Sequence, residues 1–382
     1  MSDSSVVGFA KSLARHPRGF WFIFWGELAE RCSFYGMRAI LALYLVERLG
    51  FSESESGLAM SIFIGACYFL PLVGGWIADN YIGKYWTIVS FSIPYIAGHL
   101  VLGIESRPFV VAALALLAMG TGVTKPNIST LMGMTYDQQR PGDEALRSDA
   151  FGIFYMAINI GAMISQVAMP YIRTKYSYAV AFAFPAALMF VAFLFFAAGK
   201  KHYAKETVQK SADLTPEQRN NRNLILVLMG LVGFIFVAAT VSGMKFPAYS
   251  KWVGIVGFLA FAVAMSRVLG RLGGIFVLVT FFWAIFDQSA STWIFFAKKD
   301  FNLDVLGMHI EPDAIQAING ALIVVLVPAF AILWRVLAGK GIVVRPTDKM
   351  LAGFIMTAST MAIMCVAGFA AAIGGLCGTG FS

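Results

Sequence analysis

The sequence predicts an all-α integral membrane protein, and two observations carry this prediction. Hydrophobic residues make up 59% of the 382 residues, whereas only 13% are charged. Apolar stretches also recur along the chain, each long enough for a helix that crosses about 30 Å of hydrocarbon. A soluble protein of this size would build its core with fewer apolar residues. We therefore expect the chain to cross a lipid bilayer many times.

Eleven apolar stretches qualify as membrane spans when the chain is cut at its charged and Pro/Gly clusters. The first series comprises 20–45, 56–79, 85–104, 108–134, 150–172 and 178–199. The second series comprises 222–243, 250–269, 272–297, 313–338 and 348–373. A long polar stretch separates the two series, and it is either a linker between two bundles or an ordinary solvated loop.

Lys and Arg are distributed unevenly between alternate connections of these spans. Of the 29 Lys and Arg residues, 18 lie in one set of connections, 8 in the other, and three within spans. Because cytoplasmic loops are rich in Lys and Arg, we expect the first set and the N-terminus in the cytoplasm. The first apolar run is too long and too charged for a cleavable signal peptide. The chain is thus predicted to be a multi-pass protein of the cytoplasmic membrane. Its net charge of +8 does not indicate a nucleic-acid partner.

Residue types that often serve catalysis or metal binding show no suitable pattern. The four Cys and four His residues are scattered and lack ligand spacing, so neither a disulfide framework nor a metal site is expected. No spacing supports a Ser/His/Asp set for nucleophilic catalysis. The chain is therefore not expected to be an enzyme.

Charged and aromatic residues share one face of the first predicted span. At helical spacings of three and four, this face carries Glu27, Glu30, Arg31, Phe34, Tyr35 and Arg38. An ionised side chain at bilayer depth costs at least about 3 kcal/mol. The four charged residues of this face therefore need a polar cavity and mutual pairing. The span is expected to form one wall of a water-filled pathway.

Four other polar residues lie within predicted spans, and each has two interpretations. Lys125 is a counter-ion for the glutamates of the first span, an anion-binding group, or both. Asp287 either binds and releases a proton between two conformations or forms a fixed salt bridge. Asn159 and Asn319 either bond neighbouring helices together or contact a ligand.

The tight charged turn at 74–84 joins the second and third predicted spans. It resembles the loop signature of the major facilitator superfamily, which is a structural and gating element. On this resemblance Asp79, Gly83 and Lys84 would be structural or gating residues, and Asp79 would bond to nearby helix ends.

The first span resembles a motif of the proton-coupled oligopeptide transporters, the POT family. Residues 27–35 match E-x-x-E-R-x-x-Y-Y, with Phe34 in place of the first Tyr. Stretches 122–127, 154–159, 282–288 and 312–328 also resemble that family, in the same order along the chain. Five matches in order make a chance similarity improbable.

The resemblance implies proton-coupled symport of di- and tripeptides by alternating access, with the proton as coupling ion and no other cofactor. The proton-coupling residues would be Glu27, Glu30, Arg31 and Asp287. The carboxylate of the peptide would be held by Arg38 and Lys125. The pocket would also be lined by Tyr35, Tyr68, Asn159, Trp283 and Asn319.

The resemblance also divides the chain. The expected segments are a cytoplasmic N-terminus (1–19), a six-helix bundle (20–199), a cytoplasmic linker (200–221), an inserted transmembrane hairpin (222–269) and a partial C-terminal bundle of three helices (270–382). Family members continue with three more helices, the first of which carries a Glu that binds the peptide amino terminus. We therefore expect a C-terminally truncated member with the major facilitator superfamily fold. Two alternatives remain open, a non-transporting protein that binds a peptide or partner, and a symporter of another small zwitterionic or anionic solute.

Overall fold

The described residues form an almost entirely helical protein. In a computed structural model of the chain, these residues are 13–206, 215–217, 271–305, 307–342 and 344–378. Among them, six helical segments are long and apolar enough to cross a membrane. The predicted all-α membrane fold is therefore confirmed. The predicted spans 222–243 and 250–269 lie outside the described residues.

Six long helices account for the first half of the chain. They are α1 (Arg18–Glu47), α2 (Glu53–Ile77), α3 (Gly83–Leu102), α4 (Arg107–Gln139), α5 (Glu144–Lys175) and α6 (Tyr178–Ala198). Each overlaps one predicted span, because the apolar runs that cross a bilayer are also the runs that form these helices. A short π-helix, Ala78–Ile82, connects α2 to α3.

The later described elements are α7 (Arg271–Phe286), α8 (Thr292–Asp300), α9 (Ala317–Gly339) and α10 (Pro346–Gly378). A two-stranded antiparallel hairpin pairs β1 (Asp304–Val305) with β2 (Met308–His309). The single span expected at 272–297 is wrong in one respect, since a 3-10 turn, Asp287–Ala290, interrupts it between α7 and α8. The polar side chains of that turn interrupt the apolar run. A second 3-10 turn, Pro312–Gln316, precedes α9.

The chain divides into two compact units. One comprises 1–260 and 288–324, and the other 261–287 and 325–382. In the first unit α1 packs against α5 and α6, α2 against α4, and α3 against α4 and α6. In the second unit α7 contacts α10 through the rings of Phe282 and Phe354, whose centroids lie 6.1 Å apart.

Two features of the first unit decide where its polar residues lie. Because several helices surround α1, most of its length is buried, including its charged residues. Helices α3 and α4 also approach closely at Gly120, where an added Cβ would clash with the Cβ of Tyr95. A glycine at this point lets the two backbones meet, as is common between membrane helices.

Candidate functional site

Three charged side chains form a buried cluster on α1. Glu27, Glu30 and Arg31 are each only 1% exposed. The Arg31 Nε lies 3.1 Å from Glu27 Oε1, and it also contacts Glu30 Oε2. These are ion-pair contacts rather than well-directed hydrogen bonds. Among the described residues, Glu27 Oε2 and Arg31 Nη2 have no hydrogen-bond partner.

The charge of this cluster is unbalanced when both carboxylates are ionised. One guanidinium compensates one carboxylate, and a second buried negative charge is costly unless another cation or a proton joins it. The cluster, which we call the Glu27–Arg31 cluster, comprises Glu27, Glu30 and Arg31. Its composition suits the uptake and release of one proton.

Tyr95 extends the cluster to a neighbouring helix. Its hydroxyl donates a hydrogen bond of 2.8 Å to Glu30 Oε1, and its side chain is fully buried. A hydrogen bond donated to a carboxylate favours the ionised form of that group. Sequence reasoning missed this residue, because a single tyrosine in an apolar helix is typical of core packing.

Lys125 lies near the cluster without pairing to it. The Lys125 ammonium sits 5.9 Å from the ring centroid of Tyr68, a cation–π distance. In the described part of the chain it forms no ion pair with Glu27 or Glu30, although it lies close enough for their charges to act on it. Both interpretations of Lys125, counter-ion and anion-binding group, stay predictions.

The remaining predicted residues of α1 follow the cluster along the same face. The ring of Phe34 lies 5.6 Å from the Arg31 guanidinium carbon, so an aromatic face covers part of the charged group. Tyr35 is half-buried and Arg38 is 8% exposed. Arg38 stands about two turns beyond Arg31, which separates it from the carboxylates.

Asn159 on α5 and Asn319 on α9 occupy neighbouring elements. The Asn159 amide donates to its own helix, at the carbonyl of Tyr155, over 2.8 Å. An added Cβ on Gly320 would stand 3.3 Å from the Asn159 carbonyl oxygen, so the start of α9 packs closely on α5. Asn319, beside that glycine, is exposed. The structure thus brings the two asparagines to one helix crossing.

Trp283 and Asp287 belong to the second unit. The ring of Trp283 packs edge-on against Phe282 and Phe286, with centroids 5.8 Å and 5.4 Å away. Asp287 is the first residue of the 3-10 turn after α7. Its two interpretations, proton carrier and fixed salt bridge, stay predictions.

The charged turn between α2 and α3 differs from the expectation in its bonding. Asp79 was expected to bond to helix ends, but its carboxylate accepts from Lys84 Nζ at 2.7 Å. The start of α3 is instead capped by Glu206, which accepts from the backbone N–H groups of Lys84 at 2.6 Å and Tyr85 at 2.9 Å. Gly83 adopts φ 77°, a left-handed conformation that favours glycine. The cap joins the segment after α6 to this turn.

A second group of ion pairs lies at the opposite end of α2. Arg173 Nε donates to Asp313 at 2.8 Å, and Arg173 Nη2 donates to Glu311 at 3.0 Å. We call Arg173, Glu311 and Asp313 the Arg173 clasp. Close by, Lys298 pairs with Glu47 at 2.6 Å and Lys299 with Glu53 at 2.9 Å. In the sequence these cations indicate only topology, because their partners are distant in the chain.

Comparison with known proteins identifies the family. A model described as "POT family" matches residues 85–374, more than half of the chain. The zebrafish (Danio rerio) protein "Solute carrier family 15 member 2" is 32% identical over 363 residues, covering 90% of the chain and 48% of that protein. "Peptide transporter family 1" of Drosophila melanogaster is 32% identical over 367 residues, covering 90% of the chain and 46% of that protein.

A solved structure shows the same fold. The crystal structure of "peptide transporter POT in complex with sulfate" is similar with a TM-score of 0.69 and 30% identity, over 85% of the chain and 70% of that structure. The chain spans about half the length of the curated relatives it matches.

Proposed function

The chain belongs to the POT family, and from this premise we propose that it takes part in proton-coupled symport of di- and tripeptides across the cytoplasmic membrane, with its N-terminus in the cytoplasm. The relatives are multi-pass transporters and not enzymes. The observation that carries the proposal is the buried Glu27–Arg31 cluster, in which two carboxylates share one guanidinium. A buried group of this composition would bind and release a proton within the helix bundle.

Coupling follows from the charge of the cluster. A proton entering from the outer side would neutralise one carboxylate and relieve the buried negative charge. Its release to the cytoplasm would restore the ion pairs with Arg31. Because the two states differ in charge at a helix that packs against α5 and α6, protonation can bias which side of the pathway is open.

Peptide binding would use the constant parts of the substrate. Arg38 and Lys125 supply cations for the peptide carboxylate, and the solved relative with bound sulfate supports an anion site in this family. Tyr35, Tyr68, Asn159, Asn319 and Trp283 would line the space for side chains. A site that fixes the termini and leaves side chains loosely held accepts many sequences.

The Arg173 clasp supports alternating access. By the predicted topology, the clasp and the two lysine pairs lie on the outer side, where they tie the segment around Glu311 and Asp313 to the six-helix bundle. Closed ion pairs on that side would seal the outer entrance. They would have to open for a peptide to enter from outside.

The proposal is tested by dipeptide uptake into proteoliposomes under an imposed proton gradient. Glu27→Gln and Arg31→Ala are expected to abolish gradient-driven uptake, whereas Glu27→Gln should retain exchange of labelled for unlabelled peptide, which needs no net proton movement. Glu144→Gln is the matched control, since that carboxylate is 79% exposed at the start of α5. Undiminished uptake in both cluster variants would refute the coupling assignment.

A further inference from the structure

A second buried polar junction joins α1, α3 and α6, one turn from the Glu27–Arg31 cluster. The hydroxyl of Ser33 lies 2.8 Å from His99 Nε2. The same hydroxyl donates a hydrogen bond of 2.8 Å to the carbonyl of Pro185. Both Ser33 and His99 are fully buried. Neither residue belongs to the group that the sequence singled out for transport.

The hydrogen bonds assign the tautomer of His99. Ser33 has one hydroxyl hydrogen, and it is used on Pro185, so its oxygen accepts from His99. The imidazole proton is therefore on Nε2. The other nitrogen, Nδ1, has no hydrogen-bond partner in the described part of the chain. One hydrogen bond thus fixes the orientation of a neutral imidazole ring.

The fixed ring forms one side of the site that holds Tyr95. The His99 and Tyr95 rings stack with centroids 5.2 Å apart and an interplanar angle of 22°. From α4, Gly120 approaches Tyr95 so closely that an added Cβ would clash. The Tyr95 side chain is therefore held between an imidazole and a backbone. Held in this way, its hydroxyl reaches Glu30 Oε1 at 2.8 Å.

We propose that Ser33 and His99 are positioning residues for Tyr95, and that through it they fix the pH range over which the adjacent carboxylate of α1 binds a proton. That carboxylate is Glu30. The importance of the hydrogen bond between Tyr95 and Glu30 for coupling rests on the proposed function. The contacts among Ser33, His99, Tyr95 and Glu30 do not depend on that function. If the junction loosens, Tyr95 can turn away and the ionised carboxylate loses a donated hydrogen bond.

Other titratable groups also act on Glu30, from its own helix and from three neighbours. These groups are Glu27, Arg31 and Cys32 on α1, Cys67 on α2, Tyr95 on α3 and Lys125 on α4. Substitutions at Ser33 and His99 leave all of them in place. A change in the protonation of Glu30 in such variants is therefore a change in its hydrogen bonding.

The test is an infrared titration of the Glu30 carboxyl band in reconstituted membranes, with the band assigned by its loss in Glu30→Gln. Tyr95→Phe should move the titration midpoint up by about one pH unit, the size expected for one hydrogen bond to a charged group. Ser33→Ala and His99→Phe should move it in the same direction. Ser33→Ala should add nothing further when combined with Tyr95→Phe.

Two variants separate positioning from general packing. His99→Gln keeps an amide donor for Ser33 and should return the midpoint towards that of the wild type. Ser92→Ala is the matched control, because that buried hydroxyl on α3 donates to the carbonyl of Ile88 on its own helix. It should leave the midpoint unchanged.

The inference is overturned if Ser33→Ala and His99→Phe leave the midpoint of Glu30 at the wild-type value, whatever Tyr95→Phe does. Should His99→Phe fail to fold, Ser33→Ala decides alone, since it removes a single oxygen atom. Peptide uptake is measured on the same preparations. A wild-type protein without proton-driven uptake would refute the proposed function while the titration result stands.

Discussion

Removing Arg173 from the Arg173 clasp should shift the protein away from the conformation in which the clasp is closed. Its side chain is 10% exposed, and that of its partner Asp313 is fully buried. Arg173→Ala would leave this carboxylate, as well as Glu311, without a cation. Breaking a buried pair by removing one partner costs about 3–5 kcal/mol. Because about 1.4 kcal/mol is a factor of ten, the population of the clasped conformation should fall by more than about 100-fold relative to open ones.

Distances between two spin labels can report this shift. Tyr176, after α5, and Asn302, after α8, are both exposed and lie on the two sides that the clasp joins. With the natural cysteines replaced, labels at these positions should give one narrow distance in the parent protein. Arg173→Ala should add a longer and broader distance as its main population.

Two further variants make the result interpretable. Arg173→Ala combined with Asp313→Ala should recover part of the short distance, because no buried carboxylate is then left unpaired. Arg48→Ala removes an exposed pair with Glu105 and should change the equilibrium by less than about 1 kcal/mol. An Arg173→Ala distance distribution that matches that of Arg48→Ala would contradict the role assigned to the clasp.

Two other predictions concern regions outside the membrane-spanning helices. His16 is buried, with Nδ1 2.6 Å from the Tyr136 hydroxyl, and burial lowers its pKa below 6.5. The folded state therefore binds this proton less readily than the unfolded chain, so stability is full above pH 6.5 and falls as the pH drops. His16→Gln should make the decrease in Tm between about pH 7.5 and about 5.5 smaller than in the wild-type protein. A decrease as large as that of the wild-type protein would argue against the assignment. Glu206→Ala removes the cap of α3 and should cost about 1 kcal/mol, seen as faster hydrogen exchange at the two capped amides; unchanged exchange would contradict it.

The helices could be predicted because membrane spans are specified by long apolar runs, which need no knowledge of distant contacts. The common face of Glu27, Glu30 and Arg31 could be predicted for a similar reason, since their spacing places them together on any continuous helix. The break at Asp287–Ala290 was missed. The apolar stretch on either side of it reads as one span, and three polar residues are too few to mark an end.

Contacts between helices could not be predicted in this way. Arg173 and Asp313 are 140 residues apart, and nothing in the local sequence of either indicates the other. Tyr95 and His99 are single polar residues in an apolar helix. Their meaning comes from the close approach of α4 at Gly120 and from the position of α1, both of which are properties of packing.

Helix α1 carries both the proposed proton site and one of the ion pairs on the proposed outer side, and this limits how they can be coupled. Glu47, at its end, pairs with Lys298 and also accepts from the hydroxyl of Tyr178 at 2.7 Å. Glu27 lies 20 residues earlier in one uninterrupted helix, a distance of about 30 Å. Over that length, at an effective protein dielectric constant of about 20, the direct Coulomb energy between two unit charges is only about 0.6 kcal/mol. On the proposed function, protonation would therefore act by changing how the whole helix packs, because a small tilt of a rigid helix displaces its far end.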